Sequence, residues 1–456
     1  MTDSKNKTIF RLKLELLLLT EAEDVLNRAK DVISKHYLTF RHLPYAQVPD
    51  QLPPDLMKAQ LILISQNADE ELVPFTDRGD RVLRLFPRGR VVTLMSSSFS
   101  RDNLEGSQNP RVTPLSQTEF FSTLKFEYLC MYRCRAQYVE VPPNDLFSMT
   151  KMLFPAFVRL SLNQRYLAVV HSNTILSDER FARLTKTEGL YVQLKDAEKY
   201  LDYIRTYFDT SGVGLKKRAR ALFLAIYYYS LCLNESLLFD FKSTSAFQAN
   251  QFYSNLQKVG TELVEILKTD NNLWDVFREA HAGDFELFWR APWIAVYGTL
   301  ISVKSAQGNP LTVLMAGLLA DTGIYDLEEA TTARFLFADD KAETEKIPDF
   351  QKHPLLSLNR CLLKNLPLSE EVKEVLICTH ERADQKGFPN QVPSEKLPVE
   401  AQIIRFAEKI DQGVNTTMKN TGVGFRFMKE KVWEAENAQP KEFSATFLAN
   451  IADALI

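Results

Sequence analysis

The hydrophobic period of this 456-residue chain changes along its length, and the change limits which layers it can build. From Thr8 to about Phe126, short apolar runs alternate with helical ones. "IFRLKLELLLL", "LTFRHL", "AQLILIS", "RVVTLMSS" and "RVTPLS" read as strands bounded by Pro, Asn, Asp or Ser, and "EAEDVLNRAKDVISKHY" reads as an amphipathic helix. Apolar strands alternating with helices predict a parallel α/β sheet covered on both faces. A smaller α/β unit follows, from about Pro142 to Asp209. It contains a hairpin, "AFVRLSLNQRYLAVV", turning near Asn163 and Gln164, and a helix, "SDERFARLTKT", capped by Ser177 or Asp178. A strand, "GLYVQL", and a helix, "KDAEKYLDYIRTYF", complete it. After "DTSGVGLKKRAR" the pattern is helical almost to the end. The expected organisation is a multidomain α/β plus all-α chain, divided at 8–137, 138–210 and 211–456.

Composition narrows the class further. An apolar fraction of 45% with 25% charged residues describes a folded chain, not a disordered one. A net charge of −3 gives no global attraction to nucleic acid or acidic membranes, so neither is an expected partner. The five cysteines are an odd number in a long chain, and Cys130-x-x-x-Cys134 has no second pair to complete a zinc knuckle. Buried thiols in a reducing compartment are expected instead. "ALFLAIYYYSLCLNESLLF" (221–239) is broken by Asn234 and Glu235, so a buried helix is expected rather than a membrane span. Leu14–Leu19 is too short for the apolar core of a signal, and a cytoplasmic location is expected. Lys216, Lys217, Arg218 and Arg220 read as a solvated helix edge or linker; a phosphate role would need a ligand beside them.

Within the helical third, four segments fall at spacings a metal site could use. They are "AGLLADTGIYD", "HPLLS", "CTHERADQKGFP" and "IIRFAEKIDQ", each in or at the end of an apolar helical run. Polar groups on such faces point inward, where an unpaired carboxylate or imidazole is costly. A shared metal would relieve that cost for Asp321, His353, His380 and Glu408 together, and this mixed N/O set suits Fe, Mn or Zn. From the residues alone the plainer reading is favoured: Asp321 caps a helix, His353 and His380 are satisfied core or surface histidines, and Glu408 is solvated.

These four segments resemble the HD-GYP family, helical proteins of the HD superfamily that hydrolyse cyclic di-GMP at a two- or three-metal centre. The family reads LLHDIGK, HPxxG, HHExxDGxGYP and IPLxARIxxVADxxDA in order. Here the counterparts are "LLADTGI", "HPLLS", "THERADQKGFP" and "LPVEAQIIRFAEKIDQ". The resemblance covers about Ser211 to Ile456 and implies one divalent metal held by Asp321, His353, His380 and Glu408.

Departures from the family pattern accompany the matches. Ala320 replaces the His of the HD pair, Ile324 replaces the Lys, Thr379 replaces the first His of the His-His pair, and Glu408 replaces an Asp. Arg290 stands near the place of the family's first metal His, and only Lys419 and Arg426 fall near the RPYR tail. Gly387-Phe388-Pro389 replaces Gly-Tyr-Pro, with Gly387 expected in a positive-φ turn and Arg382 pairing with Asp384 across the loop. In the family this loop is associated with docking onto diguanylate cyclases.

The N-terminal strand order and size are similar to a response-regulator receiver. Glu21, Glu23 and Asp24 would be its acids and Ser96 or Ser97 its hydroxyl, but Gln66 stands at the phosphoacceptor position. The resemblances imply a cytoplasmic bacterial signalling protein with a pseudo-receiver and a degenerate HD-GYP domain. It would bind partners, cyclic di-GMP or a second copy of itself rather than cut. The alternative is an active phosphodiesterase running on a reduced metal site.

Overall fold

The structure is a computed structural model of the chain. It describes residues 15–35, 40–67, 70–87, 89–96, 112–120, 122, 125–126, 138–160, 165–187, 189–238, 244–270, 272–274, 276–277, 287–337, 341–421 and 425–455. The chain divides into two compact units, Met1–Gln137 and Tyr138–Ile456.

The first unit is built on five strands, β1 (Leu16–Leu19), β2 (Phe40–Leu43), β3 (Leu61–Ser65), β4 (Arg90–Met95) and β5 (Val112–Ser116). All neighbours pair in parallel in the order β2-β1-β3-β4-β5. This is the flavodoxin-like order of doubly wound sheets. Every residue of β1 and β3 is buried, as expected of strands covered on both faces. Pro114 is accommodated because β5 is an edge strand.

Helix α1 (Glu23–Lys35) buries Val25, Ala29, Val32 and Ile33, one face at helical spacing, and begins with Glu23 and Asp24 at the positive end of its dipole. Helix α2 (Leu72–Leu85) sets Phe75, Val82 and Leu83 against Ile62, Ile64 and Val91. Between β2 and β3 the described chain forms two short 3-10 turns, at 45–47 and 56–58. A one-turn helix, α3 (Gln117–Phe120), follows β5.

At the carboxyl ends of these strands Gln66 is a structural amide. It is 1% exposed; its side chain accepts from Ser96 N at 3.2 Å and donates to Glu70 O at 2.7 Å. Arg78 pairs with Glu70 and lies 3.6 Å from Glu21, while Asp24 pairs with Arg28 at 3.0 Å. Ser97, Cys130 and Cys134 lie outside the described residues.

The second unit begins with a four-stranded antiparallel sheet, ordered β6-β9-β7-β8. Its strands are β6 (Tyr138–Val141), β7 (Ala156–Leu160), β8 (Arg165–Val170) and β9 (Leu190–Gln193). The β7–β8 hairpin is present; its turn at 161–164 lies outside the described residues. Ser177 caps α4 (Asp178–Leu184) by accepting from Arg180 N. Helix α5 (Ala197–Tyr207) buries Tyr200, Leu201, Tyr203 and Ile204.

Helix α6 (Gly212–Leu238) starts with the basic cluster, and the structure corrects its reading as a solvated edge. Arg220 and Tyr200 both donate to the carboxylate of Asp145, itself 1% exposed. Lys217 donates to Asn144 O and lies 3.9 Å from the Phe208 ring centroid, and Arg218 pairs with Glu262 at 3.0 Å. Lys217 and Arg220 therefore clamp the antiparallel sheet module to α6, and Arg218 ties α6 to the helix Thr244–Thr269. Among the described residues α6 is the one helix long and apolar enough to span a membrane, and 83% of that window is buried inside the molecule.

The remaining helices are α7 (Thr244–Thr269), α8 (Leu287–Ser305), α9 (Pro310–Leu319), α10 (Glu329–Phe337), α11 (Lys341–Glu345), α12 (His353–Leu363), α13 (Glu370–Cys378), α14 (Val399–Thr421), α15 (Phe425–Ala438) and α16 (Ala445–Ile451). Their starts are chemically marked. Asn309 accepts from Leu311 N and Thr312 N ahead of Pro310, and Ser369 accepts from Val372 N ahead of Glu370 and Glu371. Helices α8, α9 and α14 pack on one another, and their facing ends carry the polar site.

Candidate metal centre

Five segments deliver the site. Asp321 follows α9 at the start of a 3-10 turn (Thr322–Asp326), His353 opens α12, and His380 lies two residues beyond α13. Arg290 comes from α8; Arg405, Glu408 and Asp411 come from one face of α14 at three-residue spacing.

Gly323 fixes the approach of the first two segments. A Cβ there would lie 2.0 Å from His353 O and 2.4 Å from Ser357 N. Ser357 Oγ locks the contact by accepting from Gly323 N at 2.7 Å and donating to Ala320 O at 2.6 Å.

Asp321, His353 and His380 converge, each offering one ligand atom within 4.8 Å of the others. His353 is fully buried; its Nδ1 lies 2.7 Å from Phe350 O, which fixes the ring and leaves Nε2 without a hydrogen-bond partner. Burial lowers the His353 pKa to about 4, and burial together with His353 lowers that of His380 well below its usual value. Both imidazoles are therefore neutral at neutral pH, as a ligand must be.

Burial raises the Asp321 carboxyl to about 6 even with Arg290 nearby; the carboxylate forms no side-chain cap. Two nitrogens and one carboxylate oxygen, with an orphaned buried imidazole nitrogen among them, fit a divalent ion.

Glu408 is not brought into this group. Its Oε1 accepts from Arg290 Nη2 at 3.0 Å and from Gln412 Nε2 at 3.2 Å, and its Oε2 accepts from Arg405 Nη1 at 2.9 Å. Burial would raise its pKa, but Arg405 and Arg290 outweigh that and hold it well below the usual carboxylate range.

Arg290 also donates to Asp411 Oδ2 at 3.2 Å, and its Nη1 lies 3.9 Å from Asp321 Oδ2. Arg405 grips Glu345 through two bonds of 2.8 and 2.9 Å and reaches Glu442 at 3.2 Å. The roles of Arg405, Asp411, Glu345 and Glu442 were missed in the sequence. The readable signal was Arg405, Glu408 and Asp411 recurring every three residues among the apolar positions Ile403, Ile404, Phe406, Ala407 and Ile410.

Three of the positions that depart from the HD-GYP pattern are filled by packing. Thr379 is 2% exposed and turns its hydroxyl to Leu376 O at 3.1 Å; Ala320 is buried. Ile324 joins a core cluster with Leu327, Phe335, Phe350 and Phe388.

The loop after His380 is tightly held. Glu381 accepts from Asn390 N at 2.6 Å and Val392 N at 3.1 Å, and Arg382 grips Asp384 through bonds of 2.9 and 2.7 Å. Gly387 has no positive φ, contrary to expectation; the left-handed residues here are Gln385 and Gln391. Glycine is required at 387 because a Cβ would stand 2.5 Å from Arg382 N and Glu381 Cα. Phe388 is 8% exposed and stacks on His380 at 4.9 Å and 9°; Pro389 follows it through a cis bond. Lys419 and Arg426 have side chains outside the described residues.

Among known families, the HD domain model matches residues 289–424, which span Arg290, both histidines and Arg405 to Asp411. A solved HDG"Y"P protein from Bdellovibrio bacteriovorus aligns over 70% of this chain and 99% of its own, at 16% identity and a TM-score of 0.43. No curated protein sequence matches the chain. The helical region of this chain carries an HD domain over residues 289–424.

Proposed function

We propose that this chain is a bacterial, cytoplasmic signalling protein whose HD domain is a degenerate HD-GYP domain. It binds a single divalent metal and acts through binding rather than hydrolysis in cyclic di-GMP signalling. One observation carries the reading: only Asp321, His353 and His380 converge as ligands among the described residues, while the remaining carboxylates are held by Arg290 and Arg405.

Metal-assisted phosphodiester hydrolysis draws on two ions, one to generate hydroxide and one to stabilise the leaving oxygen. Three ligands supply one. When bound, the ion would be Fe, Mn or Zn, and it would order Asp321, His353 and His380 about a common centre. The N-terminal unit serves as a pseudo-receiver, because the Gln66 amide cannot form an acyl phosphate. Its partners, and those of the loop carrying Arg382 and Asp384, would be diguanylate cyclases or a second copy of the chain.

The test is to incubate the purified protein with Fe²⁺ or Mn²⁺ and cyclic di-GMP, following nucleotide loss and bound metal in parallel. Bound metal without nucleotide loss supports the reading. Turnover abolished by Asp321→Ala or His380→Ala would favour the alternative, a phosphodiesterase working on a reduced metal site.

A further inference from the structure

Beside the three-ligand group lies a second polar centre. The guanidinium of Arg290 is enclosed by Asp321 at 3.9 Å, Glu408 at 3.0 Å and Asp411 at 3.2 Å. The Arg290 side chain is only 9% exposed, and its Nη1, on the Asp321 side, has no hydrogen-bond partner. Asp321 is shared: it closes the ligand group with His353 and His380 and faces the guanidinium.

We propose that Arg290 is a resident cation that restricts this site to one metal ion, filling with a fixed +1 charge a carboxylate pocket that would otherwise take a second divalent ion. The inference rests on the metal reading of Asp321, His353 and His380.

The charge count supports it. Asp321, Glu408 and Asp411 are three carboxylates around one point. Arg405 pairs with Glu408 among them, and it also serves Glu345 and Glu442. Without Arg290 the pocket would present an oxygen-only, net negative set, the donor chemistry that hard divalent ions prefer. With Arg290 present, one oxygen of each of Glu408 and Asp411 is committed to its N–H groups, and a divalent ion entering there meets a like charge that cannot be deprotonated. The pocket and the ligand group share Asp321, so removing the cation would create a second site next to the first.

The experiment counts Mn²⁺ bound by the full chain after equilibrium dialysis and records the electron paramagnetic resonance spectrum. Wild type is expected to bind one ion per chain and give the six-line signal of isolated Mn²⁺. Arg290→Ala is expected to bind two and show exchange coupling between them; Arg290→Lys, which keeps the charge, should stay at one. Arg290→Gln, which retains a donor for Glu408, replaces Arg290→Ala if that variant loses its native tryptophan emission. Two ions in wild type, or one ion in both neutral variants, would overturn the assignment to Arg290 while leaving the metal site intact. No ion in wild type would overturn the metal reading itself and this inference with it.

Discussion

Arg405→Met removes a cation that holds three carboxylates of the site. Arg405 is 6% exposed and holds Glu345 through both oxygens, Glu408 at 2.9 Å and Glu442 at 3.2 Å, with His380 Nδ1 at 3.3 Å. Met has similar length and leaves little void, so the loss is mainly electrostatic. Glu408 keeps Arg290 and Gln412, and Glu442 keeps Lys409 and Arg382, but the described partner of the Glu345 carboxylate is Arg405 alone.

Stranding one partner of a buried pair costs about 3–5 kcal/mol. The partial cover left to Glu408 and Glu442 places the expected loss toward the lower end, about 3–4 kcal/mol. All four tryptophans, Trp274, Trp289, Trp293 and Trp433, lie in the second unit, so their emission during urea unfolding reports that unit by itself. With a urea dependence of about 2–3 kcal/mol/M, the midpoint should fall by more than ~1 M. Adding Glu345→Gln to Arg405→Met should recover about 1–2 kcal/mol, since the stranded charge is gone. A midpoint shift worth less than about 1 kcal/mol would refute the claim that this cation is structurally required.

Three further outcomes follow from the same geometry. Gly323→Ala must push the 322–326 turn off α12, because the new Cβ meets backbone 2.0 and 2.4 Å away; a loss of about 3 kcal/mol or more in urea and weaker Mn²⁺ binding are expected, and wild-type values for both would contradict the close approach. Phe388→Ala removes the ring stacked on His380 and opens a cavity in the cluster with Ile324 and Phe350; about 2–4 kcal/mol should be lost on unfolding, whereas a loss only of partner binding would mean the side chain is not core. The third concerns pH in metal-free protein. The His353 pKa is lowered to about 4 by burial, so its contribution is complete above the unfolded value of about 6.5 and declines as pH falls toward 4, by about 3 kcal/mol. Burial raises Asp321 to about 6, which has the opposite sign and adds about 3 kcal/mol as pH falls from 6 to 4. Asp321→Asn removes that opposing gain, so its urea midpoint should fall more steeply than wild type between pH 6 and 4.5; parallel profiles would contradict the buried-carboxylate assignment.

Much of the fold was legible because its signals are local. The runs around Leu16–Leu19, Leu61–Ser65 and Arg90–Met95 are apolar on both faces, and that alone implies a covered parallel sheet. The N-terminal cap at Ser177 is written in adjacent residues. His353, His380 and Asp321 stood out because each is a polar residue set in an apolar helical run.

The rest depends on contacts between distant segments. Arg405 reads as an ordinary helical cation until Glu345, 60 residues earlier, and Glu442, 37 residues later, close on it. Gly387 suggested a left-handed turn, yet it is glycine because His380, Glu381 and Arg382 pass too close for a Cβ. The basic cluster of α6 looked solvent-facing because Asp145 and Phe208, which engage it, belong to the preceding sheet module.

The most direct test of the account is turnover in the presence of metal. The 456-residue chain loaded with Mn²⁺ or Fe²⁺ should be incubated with cyclic di-GMP, and the linear dinucleotide and mononucleotide products separated by chromatography. The account expects no product above the level given by Asp321→Ala. Product formed by wild type and lost in both Asp321→Ala and His380→Ala would contradict it.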